Sequence, residues 1–458
     1  MTTQTPETLR RIDCAHHLHP FTDHAAMHTT GTHLIAGAEG CSVIEADGRR
    51  LLDGLAGLWC VNVGYNRPEI AAAVARQMEK LCYYPSFFNT TTEPAVELAG
   101  KLASLAPAGM THTVFSNSGS EANETNLKII RNFWHLRGKP EKRKILSRTF
   151  AYHGVTLATT SLTGLPACLT PFDLPLEGFV HVPGPYHFGA LASGFFETHG
   201  LMSAEQYGTW CLEQTEATIE REGADSIAAI FVEPIQGAGG VIIPPPGYLK
   251  NLRALARQHD ILFVADEVIS GFGRMGAWFA STLWDLEPDL ISLAKGITSG
   301  YLPLGASMVS SRIADELISG GYFAHGFTYS GHPVACAAAL ANLAILEREN
   351  LVERVASDIG PYFESSMLAL ASHPTVAEAR CFKLIGALEL VPPGGLAALS
   401  SHPTLGARAA ALIREEGAIV RGIRNLIAVA PPLIISQAET DALMAAIQRG
   451  LDKLWSSL

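Results

Sequence analysis

Short apolar runs alternate with longer amphipathic stretches through the middle of the chain, from about residue 61 to residue 330. The runs that predict strands lie at residues 113–115, 227–232, 261–265 and 290–294. Strands that alternate with helices are typical of βαβ units, because neighbouring parallel strands need a crossover connection. The pattern therefore predicts an α/β fold with a mostly parallel central sheet and helices on both faces.

The two ends of the chain show other patterns. Residues 1–60 are rich in His, Thr and Gly and predict loops and short strands, whereas the residues from 336 onward predict helices and a few strands around a Pro/Gly break at 391–396. We therefore expect an N-terminal segment (1–60) that contributes to a small domain and to the active site. A large domain (61–335) and a C-terminal small α+β domain (336–458) would follow it.

The composition indicates a folded globular protein with an acidic surface. Of the 458 residues 48% are hydrophobic, and 44 Asp and Glu outnumber 33 Lys and Arg to give a net charge of −11. This hydrophobic content excludes a disordered chain, and the negative charge repels phosphate backbones, so we expect no nucleic-acid partner. The longest apolar stretch, 334–346, contains Asn342 and is too short to span a bilayer, so we expect no membrane partner.

The eight cysteines are spread singly along the chain, at Cys14, Cys41, Cys60, Cys82, Cys168, Cys211, Cys336 and Cys381. No pair has the spacing of a zinc knuckle or a redox motif, which indicates reduced thiols. The first residues carry acidic and polar groups where a secretory signal needs a basic patch and an apolar run. Together these features predict a cytoplasmic protein.

Polar groups suited to ligand binding follow the predicted strands, at the sheet edge where open α/β folds bind ligands. The first group is the run Ser116-Asn117-Ser118-Gly119-Ser120-Glu121-Ala122-Asn123. Ser118 and Glu121 have the spacing of a capping box, and Gly119 allows a ligand close to the free N–H groups of a helix start. By itself the run predicts either a phosphate site or simply a capped helix.

Three ionisable side chains end the other predicted strands. Glu233 follows 227–232, where a carboxylate is often solvated or structurally paired. Asp266 follows 261–265, and burial there requires a cationic partner, either a ligand or an Arg. Lys295 follows 290–294, where burial favours the neutral amine, a nucleophile toward carbonyl compounds; a structural lysine that reaches solvent is the alternative.

Considered together, these groups meet the requirements of pyridoxal 5'-phosphate. Its phosphate needs a helix dipole, its ring nitrogen an anionic partner and its aldehyde an amine. None of these requirements involves a metal ion. Six histidines lie near the N-terminus without a clear ligand geometry, and we expect no metal site there: His16, His17, His19, His24, His28 and His33.

Several longer motifs resemble those of one enzyme family. They are HHLHPFTD (16–23), AGLWCVNVGY (56–65), GFTYSGHP (326–333) and APPL (430–433), together with the 29 positions that separate Asp266 from Lys295. Over nearly its whole length the chain resembles the class III aminotransferases of the pyridoxal-phosphate fold type I superfamily. Within them it is most similar to the omega-transaminases, which pass an amino group from an amine to pyruvate.

The resemblance implies roles for residues at matching positions. Lys295, Asp266 and Tyr152 would be catalytic: the lysine binds the cofactor aldehyde, the acid holds the pyridine nitrogen protonated, and the tyrosine stacks on the ring opposite Val268. The implied cofactor-binding set is Ser118, Gly119, Ser120, Tyr152, His153, Glu233, Asp266, Val268, Lys295, Phe327 and Thr328. Phe327 and Thr328 would reach the phosphate from a second subunit, which implies a homodimer with shared active sites and leaves a tetramer open.

The resemblance also implies the substrate side of the site. Aromatic walls would come from Phe21, Trp59, Phe87 and Phe88, although core packing is the alternative for any one of them. Arg421 matches the mobile arginine that binds the keto acid's carboxylate, and Arg424 is the alternative.

Two sequence departures bear on specificity. The run Arg380-Cys381-Phe382-Lys383 replaces a small glycine-containing turn, and no large aromatic residue occurs at Leu165-Pro166-Ala167, which predicts extra room.

Other functions remain open at this point. An aminomutase or an amino-acid decarboxylase of the same fold would also keep Lys295 and Asp266. A non-catalytic nucleotide-binding module would leave Lys295 unexplained, and the first predicted strand is not followed by a GxGxxG element. The natural amine is also open among putrescine, beta-alanine, taurine and arylalkylamines.

Overall fold

A computed structural model of the chain describes residues 4–458. Its N-terminal part contains α1 (Pro6–His16), α2 (His24–Thr30), β1 (Ile35–Glu39), β2 (Ser42–Glu45), β3 (Arg50–Asp53) and α3 (Ala56–Trp59). The sequence predicted loops and short strands here, and the two first helices differ from that prediction. They form because Thr5 and Asp23 cap them with their side chains and Pro6 suits the first helical turn.

A seven-stranded sheet forms the centre of the molecule. Its strands are β4 (Met110–Ser116), β5 (Lys144–Arg148), β6 (Phe179–Val182), β7 (Ile227–Val232), β8 (Leu262–Asp266), β9 (Leu290–Leu293) and β10 (Gly305–Ser310). Their order is β4-β10-β9-β8-β7-β5-β6. β10 is antiparallel to β4 and β9, and the other neighbours are parallel. The predicted mostly parallel sheet is confirmed.

Helices cover both faces of this sheet. The helices between β3 and the C-terminal part are α4 (Pro68–Lys80), α5 (Glu93–Leu105), α6 (Gly119–Leu136), α7 (Leu157–Leu162), α8 (Pro166–Leu169), α9 (His187–Ala192), α10 (Phe195–His199), α11 (Ala204–Glu222), α12 (Tyr248–Gln258), α13 (Ala280–Leu283) and α14 (Ser311–Gly320). Successive residues of β7 point to opposite faces: Phe231 packs in a cluster with α6, and Ile230 and Val232 pack with α11 and α12. All of β7 is buried, as its continuous apolar sequence predicts.

The C-terminal part is a mixture of helices and antiparallel strands. It contains α15 (Pro333–Arg348), α16 (Leu351–Ser357), α17 (Ile359–Ala369), β11 (Val376–Phe382), β12 (Ile385–Leu390), α18 (Leu405–Glu415), β13 (Ala418–Ile419), β14 (Arg421–Ile423), β15 (Leu426–Val429) and α19 (Gln437–Ser456). The sheet order is β11-β12-β15-β14, and β13 pairs with β3 of the N-terminal part.

The predicted boundary between residues 335 and 336 falls inside α15. This helix is apolar on most of its surface and packs against α4 and α5, so both sides of the boundary share one core. The three-part division of the chain stays a prediction. Among residues 4–458 no helix is both long and apolar enough to cross a membrane.

Candidate active site

A cavity of about 1290 Å³ lies at the carboxyl ends of β7, β8 and β9. Twelve of the residues predicted from the sequence line it: Phe21, Trp59, Ser118, Gly119, Ser120, Tyr152, His153, Glu233, Asp266, Val268, Lys295 and Arg421. They come together because parallel strands deliver their last residues to one edge of the sheet. Trp59, His153 and Asp266 are buried and Lys295 is partly buried, and we call these four residues the floor of the cavity.

The start of α6 presents free backbone donors to the cavity. The Ser118 hydroxyl accepts a hydrogen bond from the Glu121 N–H (3.2 Å), but the Glu121 carboxylate accepts from the N–H of Asn117 (2.7 Å) instead of Ser118. Only half of the predicted capping box is therefore formed. Within residues 4–458 the N–H groups of Ser118, Gly119 and Ser120 have no acceptor. Together with the helix dipole they form a cradle that fits a phosphate.

Gly119 packs closely against the side chain of Val268. A Cβ atom built on it would lie 3.0 Å and 3.1 Å from the two methyl groups of Val268. A larger residue would push Val268 into the cavity or move the helix start away from it. The glycine thus keeps the cradle next to the side chain that is predicted to contact the cofactor ring.

Asp266 is almost fully buried at the end of β8, with 4% of its surface exposed. Its Oδ2 accepts from His153 Nδ1 (2.8 Å) and Asn123 Nδ2 (2.8 Å), and its Oδ1 accepts only from the Val268 N–H (3.2 Å). No arginine or lysine pairs with it among the described residues, so the salt-bridge alternative is not realised. A buried carboxylate without a full cationic partner fits a protonated ring nitrogen.

Lys295 follows β9 and begins a short 3-10 turn, Lys295–Ile297, with a positive φ of 50°. Non-glycine residues rarely adopt this conformation, and they do so most often at functional sites. Its amino group makes no hydrogen bond or ion pair within residues 4–458 and lies 5.8 Å from the centre of the Trp59 ring. Burial lowers the pKa of Lys295, which increases the fraction of the nucleophilic neutral amine.

Glu233 holds the cavity wall in place. Its carboxylate accepts from the N–H groups of Tyr152 (2.9 Å) and Gly237 (2.9 Å), and the Arg148 guanidinium donates to its carbonyl oxygen. Burial raises the pKa of Glu233. These contacts indicate that Glu233 positions the Tyr152 backbone; its predicted direct contact with a cofactor stays a prediction.

The two candidate arginines differ in their contacts. Arg424 donates to the Gly239 carbonyl (2.7 Å), and its guanidinium carbon lies 5.1 Å from the centre of the Phe150 ring. Arg421 makes no hydrogen bond or ion pair to any described residue and lies 5.3 Å from the centre of the Trp59 ring, where burial lowers its pKa. An unpaired, largely buried guanidinium in a cavity fits a carboxylate ligand, so the geometry favours Arg421.

The departures noted in the sequence lie in different places. Arg380 donates to the Val241 carbonyl (2.8 Å) and to Glu389 (2.6 Å), and Lys383 donates to the Ala356 carbonyl (2.8 Å). The run from 380 to 383 does not line the cavity. Leu165, Pro166 and Ala167 do line it, and the extra room on that side stays a prediction.

Four predicted residues lie outside this cavity: Phe87, Phe88, Phe327 and Thr328. They share one face of the molecule with their neighbours, because the Phe87 ring packs against Gly326 and the Tyr83 hydroxyl donates to the Thr328 carbonyl (2.7 Å). Phe88 is 87% exposed there. We call this face, residues 83–88 and 326–329, the aromatic surface. The predicted roles of its residues in a second subunit's site stay predictions.

Near the N-terminus the structure groups Asp13, His17 and His19, with one potential ligand atom from each lying within 4.8 Å of the others. Asp13 accepts hydrogen bonds from His17 Nδ1 (3.0 Å) and His19 Nε2 (2.9 Å). These hydrogen bonds account for the grouping without a metal, and the metal-free prediction for this segment stays a prediction.

Several site residues were given no individual role in the analysis of the sequence. Asn123, Asn126 and Ser292 form a buried polar group behind Asp266, and the thiols of Cys60 and Cys168 belong to residues that line the cavity. Asn123 and Asn126 are amides among the buried, mostly apolar residues of α6. That local pattern is a signal that could have identified the first two.

Comparison with known proteins gives consistent results. The family model for aminotransferase class-III matches residues 24–451. The putrescine–pyruvate aminotransferase of Pseudomonas aeruginosa is 43% identical over 96% of this chain and 94% of the relative, and the diaminobutyrate–2-oxoglutarate transaminase of Halomonas elongata is 39% identical over 93% and 91%. The crystal structure of an (S)-enantioselective omega-transaminase from Thermomicrobium roseum superimposes with a TM-score of 0.93 at 42% identity, covering 99% of each chain.

Proposed function

The chain belongs to the class III aminotransferases, and from this membership we propose that the cavity around Lys295 is its active site. The enzyme uses pyridoxal 5'-phosphate to transfer the amino group of an amine to pyruvate, which leaves as alanine. The observation that carries the assignment of the site is the unpaired amino group of Lys295 beside Asp266, at the open edge of the sheet.

The residues of the cavity fit this cofactor. The N–H groups at Ser118, Gly119 and Ser120 would hold its phosphate, and Asp266 Oδ1 would accept the hydrogen bond of its ring nitrogen. Tyr152 and Val268 would contact its ring, and Lys295 would bind its aldehyde carbon. Each of these groups lines the same cavity and has the charge or polarity that its part of the cofactor requires.

Pyridoxal phosphate, when bound, supplies an aldehyde for covalent capture of the amine and a ring that accepts the electrons released from the substrate carbon. Lys295 is the residue that moves the proton: its neutral amine removes the proton from the carbon next to the amino nitrogen and later returns it. Asp266 would hold the ring nitrogen in its protonated form by accepting a hydrogen bond from it. Trp59, with its ring face near Lys295 Nζ, narrows the space in which this amine can move.

Arg421 serves the acceptor half of the reaction. Its free guanidinium would bind the carboxylate of pyruvate by paired hydrogen bonds, and the apolar walls from Phe21 and Trp59 would accept the methyl end. A donor amine without a carboxylate needs no such partner. The room beside Leu165, Pro166 and Ala167 supports donors with an extended apolar chain.

We also propose a homodimer in which Phe327 and Thr328 complete the site of the partner, and a cytoplasmic location. Large exposed aromatic groups on the aromatic surface support the dimer, because such patches commonly mark interfaces. All eight cysteines are unpaired, which supports a reducing compartment.

The activity is tested by incubating the purified holoenzyme with pyruvate and a panel containing putrescine, beta-alanine, taurine and 1-phenylethylamine, with alanine as the measured product. We expect alanine and the matching aldehyde or ketone in equal amounts, with parallel lines in double-reciprocal plots because the reaction has two half-reactions. Carbon dioxide release or an amino group shifted within one molecule, without alanine, would instead show a decarboxylase or an aminomutase.

A further inference from the structure

A chain of hydrogen bonds connects helix α6 and strand β9 to the carboxylate of Asp266. Asn126 Nδ2 donates to Ser292 Oγ (2.8 Å), which donates in turn to Asn123 Oδ1 (2.5 Å). Asn123 Nδ2 then donates to Asp266 Oδ2 (2.8 Å). Asn126 and Ser292 are fully buried, and Asn123 is 1% exposed. Buried polar side chains are costly unless they are paired, so their presence here requires an explanation.

The proton positions along this chain are fixed. Ser292 has a single hydroxyl hydrogen, which it gives to Asn123 while its oxygen accepts from Asn126. Asn123 uses both amide hydrogens, one for Asp266 and one for the carbonyl oxygen of His153 (2.7 Å). From Asn126 through Ser292 to Asn123, one donor of each residue therefore points toward Asp266, and hydrogen bonds aligned in this way polarise one another in favour of a negative charge at their end.

These hydrogen bonds also determine which oxygen of the Asp266 carboxylate is left free to accept from a ligand. Oδ2 of Asp266 receives two N–H donors, from Asn123 and His153, whereas Oδ1 receives only the backbone N–H of Val268 at 3.2 Å. Oδ1 is thus the oxygen with free capacity. Because Asn123 also donates to the His153 carbonyl oxygen, its amide is connected to both side chains that contact Oδ2.

The fold places these residues by simple geometry. Asn123 and Asn126 are three positions apart on α6 and share one face of it. Ser292 pairs directly with Asp266 in the register of β8 and β9, so the two side chains lie on the same face of the sheet. The helix crosses over this pair, and its two amides reach the strand ends.

We propose that Asn126, Ser292 and Asn123 are positioning residues that hold Asp266 as an oriented anion and thereby increase the affinity of the enzyme for the protonated ring nitrogen of its cofactor. This role rests on the function proposed above and acts through Asp266. The three residues therefore have a measurable effect on the affinity for the cofactor, in addition to their effect on the stability of the protein.

The neighbouring strand β10 provides a matched control for Ser292. Ser307 is the residue of β10 paired with Ser292, it is equally buried, and its hydroxyl donates to the Ala122 carbonyl of the same helix (2.8 Å). Its hydroxyl is not connected to Asp266. Ser292→Ala and Ser307→Ala therefore remove the same group from neighbouring sites, and only the first breaks the hydrogen-bond chain.

The measurement compares dissociation constants for pyridoxal phosphate and for its 1-deaza analogue, in which a carbon replaces the ring nitrogen. The ratio of the two constants isolates the contact with Asp266, since a general loosening of the site weakens both ligands alike. We expect Ser292→Ala to reduce the preference for pyridoxal phosphate by about five- to tenfold, the effect of one lost hydrogen bond. Ser307→Ala should keep the preference of the unmodified enzyme.

Equal preferences in the two variants would overturn the proposal. If Ser292→Ala does not yield folded protein, Asn126→Ala removes the first donor of the chain and gives the same comparison against Ser307→Ala, with an expected loss of about threefold. As a second readout, the pH at which the visible absorption of the holoenzyme changes should move in Ser292→Ala and stay fixed in Ser307→Ala. An unmodified enzyme that neither binds the cofactor nor forms alanine would contradict the proposed function instead.

Discussion

The floor of the cavity and the aromatic surface differ in whether their side chains contribute to the cavity of their own chain. On the floor, Asp266 is held by two side-chain donors and the partly buried Lys295 keeps its amine free, so the chemical groups are in place within one chain. On the aromatic surface, Phe88 is 87% and Tyr329 57% exposed, and no side chain there reaches the cavity of its own chain. One folded chain thus brings the reactive groups together, whereas in the proposed homodimer the partner would supply the outer walls and part of the phosphate site.

Replacement of Lys295 by Ala tests the floor most directly. We expect turnover of amine and pyruvate to fall by at least about a thousandfold, because the variant loses the group that moves the proton. The visible absorption that appears when the unmodified protein binds pyridoxal phosphate should also be absent. Retention of both properties in a correctly folded variant would show that the floor is not the reaction centre.

The variants Arg421→Leu and Arg424→Leu distinguish the roles of two arginines that lie three residues apart. We expect Arg421→Leu to raise the KM for pyruvate by about 30-fold, because the keto acid loses a charge-assisted partner, while the half-reaction with 1-phenylethylamine changes little. Arg424→Leu should lower the unfolding temperature and leave the KM for pyruvate nearly unchanged, since its contacts are with Gly239 and aromatic rings. The opposite pattern would assign the carboxylate to Arg424.

Mixed dimers test whether the aromatic surface completes a partner's site. Lys295→Ala lacks the lysine, and Thr328→Arg should block the phosphate end of the neighbouring site, so each variant alone is expected to be inactive. When they are mixed in equal amounts after reversible dissociation, shared sites would restore about a quarter of the unmodified activity, because half of the dimers contain one intact site.

The control mixes Lys295→Ala with the double variant Lys295→Ala/Thr328→Arg, which cannot form an intact site. Absence of recovery in the test mixture, with dimers demonstrated by light scattering, would place Thr328 outside any shared site. Monomers in solution would contradict the proposed assembly directly.

The sequence predicted the floor better than the contacts around it. Residues 227–232 form β7 as expected, and Glu233, Asp266 and Lys295 meet because apolar strand runs and parallel topology bring their ends to one edge. The bond between Asn123 and Asp266 joins residues 143 positions apart, which no local pattern reveals. The Glu121 carboxylate also bonds one residue earlier than capping-box spacing implies, because the Asn117 N–H and side chain offer it two donors.

The smallest expected effect concerns the stability of the floor without cofactor. Burial lowers the pKa of Lys295, so the folded apoenzyme either buries a charge or releases a proton that the unfolded chain keeps. The resulting loss of stability is complete below the lowered pKa and disappears as the pH rises toward the ordinary value near 10.5. Lys295→Met should therefore raise the melting temperature of the apoenzyme at neutral pH by about 2 °C, and the gain should shrink as the pH rises toward 10.5, the ordinary pKa of lysine. If the gain in melting temperature is the same at every pH, the charge of Lys295 does not destabilise the empty cavity. Packing alone would then distinguish the variant.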